Sequence, residues 1–145
     1  MYTNLTSSVG KLSASRAIST AALLIWVVSL PILFLLYRTL EPSPDQSIFD
    51  YIAWLASQGQ LPYADSFEIN WPGAILIHIA AQSIFGPYDT AVRSLDFFIM
   101  QAGAIAGAVM LWRNKMRVGA TLVLALYPPV YITAGVWVVG QRDII

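Results

Sequence analysis

Long hydrophobic stretches occur three times along the chain, with lengths that fit a lipid bilayer. Residues 17–37 contain no charged side chain, and a helix of this length crosses a hydrocarbon core of about 30 Å. Residues 91–112 and 118–139 are also predominantly apolar, and only the short segment 113–117 separates them. The pattern predicts three transmembrane helices, the first as an uncleaved signal-anchor and the other two as a hairpin.

The more polar segment at 38–90 carries helix signals of its own. Ser43-Pro44-Asp45-Gln46 fits the S-x-x-Q capping box, with proline at the first helical position. Apolar residues at positions 48, 51, 52 and 55 then recur with helical spacing, and Gly59 supplies a stop. A second apolar segment of helical length lies between Pro72 and Gly86. We expect two amphipathic juxtamembrane helices in this long first outer loop, at about 44–58 and 72–85.

Composition agrees with this pattern and excludes some kinds of site. Hydrophobic residues make up 57% of the chain and charged residues 11%, and the mean hydropathy is +0.64, whereas about a quarter of the residues in a soluble domain are charged. Because the chain has no cysteine, disulfides and thiolate metal sites are excluded. We therefore expect an all-α integral membrane protein whose partners include the lipid bilayer and no nucleic acid.

Charge is distributed unevenly along the chain. Five basic residues lie near the N-terminus and between the second and third hydrophobic stretches, with no acidic residue among them: Lys11, Arg16, Arg113, Lys115 and Arg117. By the positive-inside rule, the tail at 1–16 and the loop at 113–117 are cytoplasmic. Residues 38–90 and 140–145 then face the extracytoplasmic side of a multi-pass protein of the cell (inner or plasma) membrane. Because the chain stops at the start of a second outer loop, we also expect it to be truncated.

Asp45 is the acidic residue with the clearest alternatives. A carboxylate in the first turn of a helix complements the helix dipole by about 0.3–1 kcal/mol, so this effect alone explains its position. The serine and glutamine of the capping box complete the cap without it, which leaves Asp45 free for chemistry. Asp50 falls on the polar side of the predicted helix and should be solvated, whereas Asp65 and Glu68 are interpreted first as charges that keep the loop soluble.

Ionisable residues in the apolar segments form a second group of candidates. Arg93 and Asp96 enter the outer end of the second hydrophobic stretch, where such residues are functional candidates by default, although their i, i+3 spacing also allows a simple ion pair. His78 is the only histidine, and without a second His or Cys nearby a hydrogen-bonded interfacial role is favoured over a metal site. Gly103 and Gly107 form G-x-x-x-G, a surface for close helix packing.

The order of several short motifs resembles a known family. These motifs are Asp45-Gln46-Ser47-Ile48-Phe49-Asp50-Tyr51, Gly59-Gln60-Leu61-Pro62-Tyr63-Ala64-Asp65, Trp71-Pro72-Gly73 and Phe85-Gly86. Together with the preceding span, they resemble the N-terminal part of the C-type (GT-C) superfamily of integral membrane glycosyltransferases, in particular the group of the protein O-mannosyltransferases and lipid A aminoarabinose transferases. The motifs cover residues 40–95, and the pattern of spans extends the likeness to the whole chain.

The resemblance implies a transferase that moves a sugar, with inversion, from a polyprenyl-phosphate carrier to an acceptor on the extracytoplasmic face. It implies Asp45 as a general base or as part of a metal-linked acceptor site, and Asp143 as a second catalytic acid. Arg142 and Arg93 would contact the carrier phosphate. The remaining candidates would serve the acceptor or the structure: Asp50, Asp65, Glu68 and Trp71.

Two departures from the family pattern limit what the resemblance implies. Gln46 stands where relatives often have Glu, so it stays open whether a divalent cation is a cofactor at Asp45. The catalytic unit of the family also has many more spans. This chain alone should therefore be inactive, and its partners would include the remaining transmembrane helices of the full-length protein.

A non-enzymatic membrane protein, such as a transporter fragment or an assembly subunit, is the main alternative. A transporter predicts broken helices around a binding site at the membrane midplane, and Tyr127-Pro128-Pro129 is predicted to break the backbone hydrogen-bond ladder of the third hydrophobic helix at mid-membrane. Juxtamembrane charges such as Arg142 and Asp143 also commonly serve only as interface anchors. A reading frame with many further spans beyond Ile145 would favour the transferase.

Overall fold

The computed structural model describes residues 3–65, 72–87 and 89–134, with side chains from residue 14 onward, and the regular elements of this part are five α-helices. In chain order they are α1 (Thr3–Arg38), α2 (Pro44–Ser57), α3 (Pro72–Phe85), α4 (Thr90–Arg113) and α5 (Arg117–Thr133). The predicted all-α architecture is confirmed for these residues. The bounds of α2, α3 and α4 agree closely with the predicted segments, whereas α1 begins well before residue 17.

Within the described residues, two helices are long and apolar enough to cross a membrane by length and composition, namely Ala14–Arg38 of α1 and Thr90–Arg113 of α4. Only 6% of the most apolar window of α1 is buried, compared with 39% for α4. Contiguous exposed apolar surface of this kind marks contact with a membrane or another protein. The predicted third span at 118–139 includes residues outside the described part of the chain, where α5 ends at Thr133.

The start and end of α2 follow the predicted signals. Ser43 Oγ accepts a hydrogen bond from the Gln46 backbone N–H at 3.4 Å, and Gln46 Oε1 accepts one from the Ser43 backbone N–H at 3.2 Å, so the predicted capping box is present. After the helix, Gly59 adopts φ 85°, and the Gln60 N–H donates to Leu55 O at 3.2 Å. This is a Schellman motif, in which a left-handed residue allows the last helical carbonyls to be satisfied.

The end of α4 is closed in the same way, but without glycine. Lys115 has φ 62°. The N–H of Lys115 donates to Trp112 O at 3.0 Å, and the N–H of Met116 donates to Leu111 O at 3.0 Å. The left-handed conformation is disfavoured for a residue with a Cβ. The turn at 114–116 leads directly into α5.

α2 and α3 pack against each other through apolar side chains. Phe49 and Ile52 of α2 are buried together with Ile75 of α3. Of the residues predicted to form the apolar side of α2, Ile52 lies in this contact, whereas Ile48 and Tyr51 are exposed. A second apolar cluster joins α3 to α4 through Ala81, Ala91 and Val92.

The helices divide into two compact units. One comprises Met1–Leu33 and Met100–Val130, and the other comprises Phe34–Ile99 and Tyr131–Ile145. In the sequence, the first contains five basic and no acidic residues, whereas the second contains all eight acidic residues and three basic ones. We call them the basic unit and the acidic unit. The formal net charge of zero thus conceals two oppositely charged parts.

The G-x-x-x-G glycines of α4 lie in the basic unit. A Cβ added at Gly107 would be 3.8 Å from Val123 Cγ1 of α5, which is an ordinary contact, and one added at Gly103 would meet nothing within 4 Å. In this unit, α1 and α4 are joined by a hydrogen bond from Trp26 Nε1 to Gln101 Oε1 at 3.2 Å, which involves neither glycine. Packing among the described helices therefore does not require either glycine.

α5 passes through Pro128 and Pro129 without a break. The predicted break concerns the backbone hydrogen bonds: the two prolines supply no N–H to them, although the helix itself continues to Thr133. Proline removes an N–H donor, but its φ near −65° is compatible with a helix. Pro128 is fully buried, so packing supports the helix where backbone hydrogen bonds are lost.

Candidate functional site

Asp45 lies in the first turn of α2, and its side chain is exposed. The helix cap is complete without Asp45, because the side chains of Ser43 and Gln46 each accept a hydrogen bond from the other residue's backbone N–H. Asp45 therefore does not hold the helix start together through a capping bond, although its charge still complements the helix dipole. The carboxylate is accessible to a ligand.

Asp50 is buried, and the prediction that it is solvated is wrong. Only 7% of the residue is exposed, and its Oδ1 lies 2.8 Å from His78 Nδ1 of α3. Because an ionised carboxylate only accepts hydrogen bonds, Nδ1 is the donor. Gln82, one turn further along α3, donates from Nε2 to the Asp50 backbone oxygen at 2.9 Å. The covering surface comes from α3, which the periodicity of α2 does not reveal.

The buried cluster of Asp50, His78 and Gln82 joins two helices. The His78 ring also meets the Phe49 ring edge-on, with 5.4 Å between the ring centroids, an arrangement that aromatic rings favour. The hydrogen bond predicted for His78 is thus confirmed, with a buried carboxylate as its partner, whereas its interfacial position stays a prediction. These contacts join Asp50 to α3, and a role at the acceptor stays a prediction.

The Asp96 carboxylate contacts the hydroxyl groups of two tyrosines, one from α1 and one from α5. It is buried, Tyr37 Oη of α1 donates to its Oδ2, and Tyr131 Oη of α5 lies 3.4 Å from each carboxylate oxygen. All three residues belong to the acidic unit. Asp96 was a candidate from the sequence, whereas the two tyrosines were not. Tyr37 is the last residue of the uncharged run at 17–37, where a phenol can supply a hydrogen bond, but Tyr131 lies inside an apolar stretch and gave no such signal.

Arg93 is buried beside the segment that joins α1 to α2. Its Nη2 donates to the backbone oxygen of Glu41 at 2.7 Å, and its guanidinium carbon lies 5.7 Å from the centroid of the Tyr37 ring, within cation–π range. Arg93 and Asp96 thus contact residues from other segments of the chain, in addition to the i, i+3 ion pair that their spacing allows. Arg93 anchors the chain shortly before Asp45.

Arg38, which the sequence analysis did not select, is an exposed cation of the acidic unit. Its Nη2 donates to Thr90 Oγ1 at 3.0 Å, and its guanidinium lies 5.6 Å from the centroid of the Phe34 ring. With Pro87, Asp89 and Thr90 it lines an open groove of about 480 Å³. Its position at the end of an uncharged run was the available signal, because Arg in such a place marks the interface.

The other predicted site residues are only partly described. Asp65 is exposed, and its Oδ2 accepts the Leu61 backbone N–H at 2.7 Å, so it stabilises the turn after α2. Glu68, Trp71, Arg142 and Asp143 lie outside the described residues, and their proposed roles stay predictions.

A metal-linked role for Asp45 finds no set of ligands in the described part of the chain. No group of three or more His, Asp or Glu side chains that could hold a metal ion occurs there. Gln46, which stands where the family pattern often has Glu, is engaged in the cap of α2. The residues described therefore do not fit a metal at this position.

Comparison with protein-family models, curated proteins and solved structures finds no match to this chain.

Proposed function

We propose that this chain is the N-terminal part of a membrane glycosyltransferase, which transfers a sugar from a polyprenyl-phosphate carrier to an acceptor on the extracytoplasmic side. The motif order from Asp45 to Gly86 supports the class of enzyme. The single observation that carries the proposal is the exposed Asp45 carboxylate beside a cap that Ser43 and Gln46 complete without it. An acid that is not needed for capping, on a well-anchored helix, is suited to act as a base.

In the proposed reaction, Asp45 accepts the proton of the acceptor hydroxyl. The acceptor oxygen forms a bond to the anomeric carbon of the sugar while the bond from that carbon to the carrier phosphate oxygen breaks. The configuration inverts, and the carrier leaves as its phosphate anion. A general base must lie within about 2.6–3.2 Å of the hydroxyl oxygen, which an exposed carboxylate permits.

The leaving phosphate needs a cation that stabilises its developing charge. The resemblance gives this role to Arg142 and Arg93. Arg38 is a further candidate in our proposal, because it is exposed and borders an open groove, and because its planar guanidinium suits phosphate oxygens. Arg93, which is buried and engaged with Glu41, would then position the segment that leads to Asp45.

The proposal includes a membrane arrangement with three spans and the N-terminus in the cytoplasm. α1, α4 and α5 with the residues after it would cross the bilayer, and α2 and α3 would lie at its outer surface. Exposed Tyr51 and Trp54, whose rings stack at 5.9 Å, support an interfacial position for α2, since Tyr and Trp favour the headgroup region. The unbroken α5 gives no support to a transporter-like broken helix.

The test is Asp45→Asn in the full-length protein, assayed with labelled polyprenyl-phosphate sugars. Loss of a general base lowers the transfer rate by about 10²–10⁴-fold, whereas the lost helix-dipole interaction costs at most about 1 kcal/mol of stability. Glu41→Gln, a nearby exposed carboxylate, is the matched control and should keep its activity. Normal sugar transfer by Asp45→Asn would overturn the assignment of Asp45 as the base.

A further inference from the structure

A groove of about 760 Å³ lies within the basic unit, between α1 and the turn that joins α4 to α5. This volume is typical of sites that hold small ligands. Arg16 of α1 and Lys115 and Arg117 of the turn region line it, together with the hydroxyl-bearing Ser19 and Thr20. Cations beside hydroxyl groups favour an anion with several oxygen atoms, such as a phosphate ester.

No acidic residue of the basic unit neutralises the charge of these cations. The sequence contains no Asp or Glu in residues 1–40 or 97–142, which include the whole of the basic unit. The Arg117 guanidinium lies 5.5 Å from the centroid of the Trp112 ring. This cation–π contact orients the guanidinium but does not neutralise its charge. The groove is therefore a concentrated positive patch.

The backbone at Lys115 adds an independent indication. Lys115 occupies the left-handed position of the helix-ending motif at φ 62°, where glycine is the residue that fits without strain. The residue in this position is a lysine, and it lines the groove. Strain of this kind suggests a function for the side chain.

The apolar residues around the groove favour a lipid headgroup over a free phosphate ion as its ligand. Leu23, Trp112 and Met116 also line the groove, and the next turns of α1 expose Leu24, Val27 and Val28. A free phosphate ion gains nothing from contact with apolar surface, whereas the acyl chains of a lipid are stabilised by burying it. Tryptophan is also enriched at the level of lipid headgroups.

We infer that this groove binds the headgroup of an anionic phospholipid, with the phosphate between Arg16, Lys115 and Arg117 and the acyl chains along α1. By the positive-inside rule this is the cytoplasmic end of the protein, and the cytoplasmic leaflet carries anionic lipids that attract basic residues. The inference does not depend on the transferase proposal, because no residue of the groove belongs to the acidic unit.

The experiment measures binding of acyl-chain-labelled phosphatidylglycerol to the full chain in a neutral detergent, by fluorescence anisotropy, with labelled phosphatidylcholine as the neutral comparison. Loss of one basic residue near an anionic headgroup weakens binding by about fivefold. We expect this loss for Arg16→Gln and for Lys115→Gly. The glycine variant is chosen because it removes the charge and also relieves the backbone, so unfolding cannot explain weaker binding.

Arg113→Gln is the matched control, because Arg113 belongs to the same basic segment and is exposed but does not line the groove. Its affinity should change by less than about twofold, since a removed charge outside the site is screened. An equal loss in Arg113→Gln would show diffuse attraction without a site and would overturn the inference. Equal binding of phosphatidylcholine would also overturn it, and displacement of the lipid by inorganic phosphate at the same concentration would assign the groove to free phosphate instead.

Discussion

The hydrogen bond between Asp50 and His78 should contribute measurably to the stability of the α2–α3 pair. The two side chains are 8% and 6% exposed, respectively, and their atoms are 2.8 Å apart. Asp50→Ala leaves the His78 N–H buried without its acceptor, which costs about 1–3 kcal/mol. The bond from Gln82 to the Asp50 backbone oxygen does not need the carboxylate, so it should survive and keep the loss near the middle of this range.

A double-mutant cycle isolates the interaction. His78→Phe keeps a ring that packs on Phe49 but leaves the buried Asp50 carboxylate without its histidine donor, at a cost of about 1–3 kcal/mol. The double variant Asp50→Ala with His78→Phe removes both partners and should lose less than the sum of the two single variants. We expect a coupling energy of about 1–2 kcal/mol.

Unfolding of the purified chain in mixed micelles with increasing sodium dodecyl sulfate, followed by far-UV circular dichroism, measures these free energies. Asp45→Ala is the matched control on the same helix, because Asp45 is exposed, and it should cost no more than about 1 kcal/mol. If the losses in the two single variants sum to the loss in the double variant within about 0.3–0.5 kcal/mol, the two side chains do not interact. The inference from their burial and distance would then be wrong.

Two further predictions concern the cap of α2 and the membrane orientation. Ser43→Ala should destabilise the chain by about 1 kcal/mol in the same unfolding experiment, because the Gln46 N–H loses its acceptor; an unchanged free energy of unfolding would contradict the role of the cap. Since the chain has no cysteine, exposed Gln58 and Asn114 can each be replaced by Cys. An impermeant maleimide should label Gln58→Cys in intact cells and Asn114→Cys only after permeabilisation, and the reverse result would contradict the predicted orientation.

The ends of α2 were predictable because their signals are local. Ser43 and Gln46 interact across a single turn, and Gly59 needs only its own positive φ to end α2, so neighbouring residues decide both boundaries. The end of α4 at Lys115 was not predictable in this way. Lys115 ends α4 in a conformation that favours glycine, and no propensity rule would have selected a lysine for that position.

The buried polar contacts were not predictable because their partners are distant in the chain. Asp50 meets a histidine from α3, and Asp96 meets tyrosines from α1 and α5. Periodicity assigns faces within one helix but does not say which neighbour covers them. A partial signal existed in α3, where His78 and Gln82 follow each other by one turn in an otherwise apolar segment and thus required a polar partner.

The separation of charge between the two units explains why the candidate site and the groove differ in chemistry. The acidic unit contains the free carboxylate of Asp45, which suits proton transfer from an acceptor, and few cations to compete for it. The basic unit lacks any acid, which suits binding of an anion and excludes a base formed from Asp or Glu. Since the two sets of residues do not overlap, Asp45→Asn should leave phosphatidylglycerol binding unchanged, and Lys115→Gly should leave the proposed base intact. Failure of one proposal therefore does not weaken the other.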